Sequence, residues 1–355
     1  MRSIPDTIER LARYRAMPQP NSPSSALKKF KSPGKNPGNL SAWYQVPDDG
    51  QSAPALVVVL HGCAQTASGY DQGSGWSKLA DDFGFAVLFP EQSRENNANL
   101  CFNWFVEADV VRDQGEVRSI REMIESMVSD HGVDPNRVYV TGLSAGGAMA
   151  NALLAAYPEV FAGGAIIAGL PYGTASTVPQ AFDRMRGHAL PSASALQGIL
   201  RSASTHKGPW PTVSVWHGTS DRMVDDANGR AIVDQWKGVH GVTEPVSDVA
   251  AGHEHLIWKD SSGRDAIELY RISGMGHGTP LDVSSGYGES GTYMLDIGIS
   301  STETIARNWG LTPSFERRQK QKRSAAAQIA QHDVGTSDFV RTTIENALRS
   351  AGLMK

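Results

Sequence analysis

The clearest features along the chain are short runs in which apolar residues follow one another without polar alternation. The first is Ala-Leu-Val-Val-Val-Leu at residues 55–60, which ends on His61-Gly62. Others lie at residues 85–90, 137–142, 161–168, 212–218 and 266–272. Continuous runs of this length suit parallel strands buried on both faces. Between them the period changes. Ile120, Met123, Ile124, Met127 and Val128 recur at helical spacing and predict a helix over residues 117–131. Residues 144–157 are rich in small side chains and stop before Pro158, as a helix packed closely on a sheet would. Residues 76–83 and 227–239 give two further helices. Strands alternating with helices imply βαβ units and an α/β fold around a mostly parallel sheet.

One connection is too long for an ordinary loop. Residues 170–211 join two predicted strands with polar, Pro-, Gly- and Ser-containing sequence. Connections of this length are usually lids or carry small helices of their own. We read them as a cap insertion that forms part of a pocket wall.

The ends differ from the middle. Ile8, Leu11 and Tyr14 suggest a short helix, followed by a Pro/Ser-rich linker and a basic, extended stretch over residues 28–38. A basic run at residues 316–323 leads to an Ala-rich segment. Phe339, Ile344 and Leu348 then suggest a last helix. The organisation expected is an N-terminal extension at 1–35, one catalytic domain at 36–312, and a basic, partly helical tail at 313–355.

Composition narrows the function. The 33 Lys+Arg and 37 Asp+Glu give a net charge of −4. That provides no general attraction for nucleic acid or an anionic membrane, and neither partner is expected. Two cysteines exclude a disulfide scaffold and a four-cysteine zinc site. The chain as written carries no apolar leader and is expected to be cytoplasmic; removal of a leader would make the same sequence a secreted one. Glycine is in excess, at 36 of 355 residues, which implies many tight turns or close backbone approaches.

Some of those glycines have a definite place. Gly142-Leu-Ser144-Ala-Gly146 matches G-x-S-x-G between a predicted strand and a predicted helix, the context this nucleophile turn requires. A serine hydroxyl needs a base to take its proton. His277 follows the last predicted strand in the glycine-rich Gly274-Met-Gly-His-Gly, whereas His131, His188, His206 and His332 lie in helix, cap or tail contexts. The acid expected between them is Asp221, in Trp216-His-Gly-Thr-Ser-Asp. Asp225 and Asp226 are its rivals, and read better as residues opening the next helix. His61-Gly-Cys63 ends the first strand, where the Cys63 N–H would join the Ala145 N–H as an oxyanion hole. His61-x-Cys63 and His253-Glu-His255 are possible metal ligands by residue type. Their spacing is better explained by a loop and a hairpin strand, and neither a metal nor a cofactor is expected.

Together these segments resemble the polyhydroxybutyrate depolymerase-type esterases, an α/β-hydrolase family that includes feruloyl and acetylxylan esterases. The resemblance rests on Asn36-Pro-Gly-Asn-Leu40, His61-Gly-Cys-Ala-Gln-Thr66, Cys101-Phe-Asn-Trp-Phe105, Gly142-Leu-Ser-Ala-Gly-Gly147, His217-Gly-Thr-Ser-Asp221, Gly276-His-Gly278, and Gly298-Ile-Ser-Ser301 leading to Trp309-Gly310. It implies that Trp104 packs on the acyl unit of the substrate and that Cys63 and Cys101 form a pair. It also implies a secreted setting, which differs from the reading of the chain start. No polymer-binding domain or Ser/Thr-rich linker accompanies the motifs, which shifts weight from crystalline polymer toward soluble esters.

The function expected is therefore a serine carboxylic-ester hydrolase. It would act on short hydroxyacyl esters or oligomers, small ester or short polyester substrates, through an acyl-enzyme. Alternatives are a feruloyl or acetylxylan esterase, a prolyl-oligopeptidase-type serine peptidase, and a non-catalytic binding protein on a hydrolase scaffold.

Overall fold

The computed structural model describes residues 27–31, 35–47 and 53–313. Ten strands form one sheet: β1 (Lys28–Lys29), β2 (Ser41–Gln45), β3 (Leu56–Leu60), β4 (Ala86–Glu91), β5 (Val138–Leu143), β6 (Gly163–Ile167), β7 (Thr212–Gly218), β8 (Val246–Ala250), β9 (His253–Lys259) and β10 (Asp265–Ile272). Their order is β1-β2-β4-β3-β5-β6-β7-β10-β9-β8. The six strands from β4 to β10 in that order are mutually parallel. Each coincides with one of the apolar runs. The pattern is physically transparent: β3 is Leu-Val-Val-Val-Leu, and all five side chains are buried.

The outer strands are antiparallel. On one side β2 and β1 extend the sheet, so Lys28–Lys29, within the stretch read as extended chain, makes a strand. On the other, β9 and β8 pair antiparallel beyond β10. There Trp216, Tyr270 and His255 lie in register across three strands and stack face to face, with ring centroids 3.7 and 3.9 Å apart. His255 Nε2 lies 3.0 Å from Glu268 Oε2, to which the Tyr270 hydroxyl also donates. His255 is thus committed to a packed stack. The outermost strand, β8, exposes Val246 and Val249 to 56% and 68%.

Helices cover both faces: α1 (Ala67–Ser74), α2 (Trp76–Phe83), α3 (Glu107–Val110), α4 (Gly115–His131), α5 (Ala145–Ala156), α6 (Val178–Met185), α7 (Ala193–Ser202) and α8 (Ala227–His240). Helix α4 buries Ile120, Met123, Ile124 and Met127 and ends at Gly132, whose φ is 66°. Every residue of α5 is buried. Its alanines and glycines allow that, and Gly164 of β6 leaves the space that Leu154 fills.

The long insertion holds α6 and α7. Buried amides fasten its first residues to helices α5 and α8. Asn151 of α5 donates to Leu170 O and accepts from the Trp236 indole at 2.8 Å, while Gln235 of α8 bonds both the N–H and the carbonyl of Tyr172. This mostly parallel sheet flanked by helices is the α/β-hydrolase fold, here with an insertion between β6 and β7.

Beyond β10, a two-stranded parallel sheet pairs β11 (Thr279–Leu281) with β12 (Met294–Asp296). The described residues fall into two units that meet in sequence at Ile305 and Ala306. Of the second, the described residues finish α9 (Ser301–Asn308) and form a turn in which the Gly310 N–H donates to Arg307 O. The helices expected near residues 8–14 and 339–348 lie outside the described residues, as does the basic run at 316–323. Among the described residues no helix is long and apolar enough to cross a membrane.

Candidate active site

Strand β5 ends at Leu143 and α5 begins at Ala145, so Ser144 alone makes the turn. Its φ of 58° and ψ of −117° fall where residues with a Cβ are rare. The Ser144 N–H is held at 2.8 Å by Ile167 O at the end of β6. Glycines make the turn possible. A Cβ on Gly142 would lie 2.5 Å from the carbonyl carbon of Gly146. One on Gly146 would lie 2.5 Å from His61 O and collide with Leu60 O, and one on Gly147 would lie 2.9 Å from Gly142 O and Ile167 O. Backbone therefore packs on backbone, and the serine is the one side chain the turn presents.

Asp221 follows β7 and His277 follows β10, its parallel neighbour. The His277 Nδ1 lies 2.7 Å from Asp221 Oδ2, and the carboxylate side chain is fully buried. The other carboxylate oxygen accepts the N–H groups of Met223 and Val224 at 2.8 and 3.0 Å. Burial alone would raise the Asp221 carboxyl. The His277 charge and hydrogen bond, with His217 and the Val224 N–H, more than offset it, so the group sits below its ordinary value. His217, in the sequence before it, is also buried. Its Nε2 lies 2.9 Å from Val224 O and 3.6 Å from Asp221 Oδ2, and burial pulls its pKa down, keeping it neutral near pH 7.

The rival acids are occupied elsewhere. Asp225 Oδ1 accepts the Ala227 N–H, and its own N–H donates to Met185 O, tying the end of α6 to this loop. Asp226 pairs with Arg230 and Arg271 at 2.8 and 2.9 Å.

The third wall is the chain after β3. His61 is buried, with Nδ1 2.7 Å from Gly62 O, and its Nε2 accepts the Gln92 N–H. The Cys63 N–H has no acceptor among the described residues. Ala145, as first residue of α5, contributes one of the N–H groups a helix leaves unpaired. A disulfide joins Cys63 to Cys101.

Behind it lies a buried carboxyl, Glu116, which takes a hydrogen bond from Gln92 Nε2 at 2.5 Å and from the Asn103 N–H at 2.9 Å. Burial pushes its pKa up to about 8. Among the described residues no group of three or more His, Cys, Asp or Glu side chains is arranged to hold a metal ion.

These pieces enclose a cavity of about 220 Å3. Ser144, His277, Cys63, Ala145, Cys101 and Trp104 all line it; Asp221 stands behind His277 and does not. Trp104 is largely buried and meets Phe105 edge to face at 5.3 Å. Three contributors are not apparent from motifs. Helix α6 supplies Val178, Ala181, Phe182 and Met185, whose i, i+3, i+4, i+7 spacing is a signal the sequence does carry. Tyr293, at φ 61°, stands edge-on to the His277 ring at 5.6 Å. Asn97 and Asn99 complete the rim, and no sequence pattern marks them.

Residues 40–255 match the family described as Esterase PHB depolymerase. A poly(3-hydroxyalkanoate) depolymerase C from Paucimonas lemoignei is 43% identical over 292 residues, covering 81% of this chain and 70% of that protein. An acetylxylan esterase from Coprinopsis cinerea is 32% identical, covering 78% of this chain and 74% of its own. A feruloyl esterase B from Talaromyces funiculosus is 29% identical, covering 74% and 75%. Among solved structures, an acetyl xylan esterase from Aspergillus awamori superposes with a TM-score of 0.70 over 81% of this chain and all of that one. At 24% identity this likeness speaks to the fold.

Proposed function

Because this chain belongs to the polyhydroxybutyrate depolymerase-type esterase family and is an ester hydrolase, we propose that Ser144, His277 and Asp221 carry its chemistry through an acyl-enzyme. The observation that carries the reading is the 2.7 Å contact between His277 Nδ1 and buried Asp221 Oδ2, with His277 and Ser144 lining one cavity. Ser144 Oγ attacks the ester carbonyl while His277 takes its proton. Asp221 fixes the imidazole and stabilises the imidazolium. The N–H groups of Cys63 and Ala145 receive the developing oxyanion; one such donor is worth about 3–4 kcal/mol. His277 then protonates the leaving alcohol and activates the water that releases the acid. None of these steps calls for a cofactor.

The substrate we propose is a short hydroxyacyl ester or oligomer of the polyhydroxybutyrate type. The 43% identity to a poly(3-hydroxyalkanoate) depolymerase supports it. So does a cavity of about 220 Å3 with a largely apolar wall, suited to one short acyl unit. A second reading, an acetylated-sugar or hydroxycinnamoyl esterase, is supported by the relatives at 32% and 29%.

The test is Ser144→Ala assayed on p-nitrophenyl butyrate and labelled with a fluorophosphonate. The variant should lose about 10^4-fold or more in kcat and should not label. Wild-type rates in the variant would overturn the mechanism.

A further inference from the structure

We infer that Asn99 reads the oxygen on the third carbon of a 3-hydroxyacyl ester and so sets the preference of the cavity for hydroxyacyl over plain acyl chains. This rests on the reading of the site given above. The cavity wall is dominated by Trp104, Phe105, Leu170, Val178, Phe182 and Met185. In such a wall a few placed polar groups fix the orientation of a ligand. Two asparagines are available, and they are used differently.

Asn97 is consumed by the loop. Its Oδ1 accepts the N–H groups of Asn99 at 2.9 Å and Cys101 at 3.3 Å, and its Nδ2 donates to Asn103 Oδ1 at 3.0 Å. Asn99 shows the reverse. Its backbone is tied on both sides, the N–H to Asn97 and the carbonyl to the Ala64 N–H at 2.7 Å. The disulfide holds the chain two residues on. Ala64 and Leu100 take φ values of 60° and 55°, strained for residues with a Cβ. Yet the Asn99 carboxamide makes no hydrogen bond to another described residue. The loop thus holds firmly a residue that is partly exposed and lines an apolar cavity, and its carboxamide is left available to a ligand there.

The placement selects the ligand. Asn99 O is bonded to the peptide N–H that directly follows Cys63, the proposed oxyanion donor. A 3-hydroxyacyl ester carries its second oxygen on the carbon two along from the carbonyl carbon held there. The amide N–H donates to that oxygen, whether it is a free hydroxyl or the ester oxygen of a preceding unit. An acetyl group ends before this carbon. A hydroxycinnamoyl group has an unsaturated carbon there with no oxygen.

The experiment measures kcat/KM on p-nitrophenyl 3-hydroxybutyrate and p-nitrophenyl butyrate, which differ in that one oxygen. Both are read on one preparation, so their ratio is independent of how much enzyme is folded. Asn99→Leu and Asn99→Ala should each lower the hydroxybutyrate-to-butyrate ratio about tenfold, the effect of one neutral hydrogen bond. An unchanged ratio in both variants overturns the inference. Ser144→Ala, run beside them, separates the two readings. If it abolishes both activities while the Asn99 variants keep the wild-type ratio, the mechanism stands and the role of Asn99 falls. If it leaves both activities intact, the mechanism falls and the inference with it.

Discussion

Two loops deliver groups to the same cavity, and they are held by opposite means. The turn around Ser144 is fixed by the absence of side chains: Gly142, Gly146 and Gly147 bring backbone against backbone, and any Cβ there meets a carbonyl. The loop over residues 97–105 is fixed by the presence of side chains. Asn97 caps two of its N–H groups, Glu116 and Gln92 bond the backbone at Asn103 and Cys101, and the disulfide ties it to the residue after Gly62. Steric restraint tolerates no substitution but is insensitive to pH and redox state. Restraint by hydrogen bonds and sulfur can be removed piece by piece, and it responds to solution conditions.

The most damaging way to break the first device is Gly146→Ala. The added methyl must displace the carbonyls of His61 and Leu60 at the end of β3. We expect at least a 100-fold loss of ester hydrolysis and a loss of about 3 kcal/mol or more in stability, followed by p-nitrophenyl butyrate assay and thermal melting. A variant that melts and turns over like the wild type would show that the turn is not under steric control.

The second device should fail more gently. Cys63 and Cys101 are 38 residues apart. Opening a loop of that length by the double change Cys63→Ser and Cys101→Ser should cost about 4 kcal/mol in stability. It should lower kcat more than it raises KM, because the freed segment carries Cys63, the proposed oxyanion donor. Chemical denaturation with matched kinetics checks both, and a rise in KM alone would argue against the oxyanion placement.

The smallest effect should come from Glu116, and it is conditional on pH. In the folded chain this carboxyl holds its proton up to about 8, from an ordinary value of 4.5. The raised value means that its stabilising contribution is complete below the unfolded pKa and is lost as pH rises through the folded one. Between pH 5 and 8 the wild type should therefore lose about 3.5 kcal/mol that Glu116→Gln, which keeps a neutral side chain, does not lose. Melting temperatures at the two pH values should converge at pH 5 and separate at pH 8; parallel curves would refute the assignment.

The same contrast explains what the sequence makes legible. The strands at 56–60, 138–143 and 212–218 are readable because burial on both faces leaves continuous apolar runs. The serine turn is readable because a steric requirement leaves glycines at fixed offsets. Helices α6 and α7 are less legible because they are short and half exposed, so a 40-residue polar connection masks them. Strand β8 is almost wholly exposed and carries little apolar signal, whereas β9 buries only His255 and Trp258 of its seven residues and shows an interrupted one. Asn97, Asn99 and Tyr293 leave no trace at all. Asn97 acts through hydrogen bonds within its own loop, Asn99 through a bond to Ala64 in a distant loop, and Tyr293 through a φ angle, and none of these is encoded in a periodic pattern. His217 lies inside a recognised motif, but its proximity to Asp221 is a product of the turn after β7.

The two rims of the large sheet also differ, with a consequence unrelated to ester chemistry. The β1 rim is two residues long and both are lysine, so copies of it repel one another. The β8 rim is longer and sets Val246 and Val249 beside its outermost backbone, with Asp248 as the single charge within the strand. Crowded molecules are therefore expected to meet rim to rim at β8 rather than at β1. The colloidal behaviour of concentrated preparations, including how far they can be concentrated before they cloud, is then expected to depend on the end of the sheet that takes no part in the cavity.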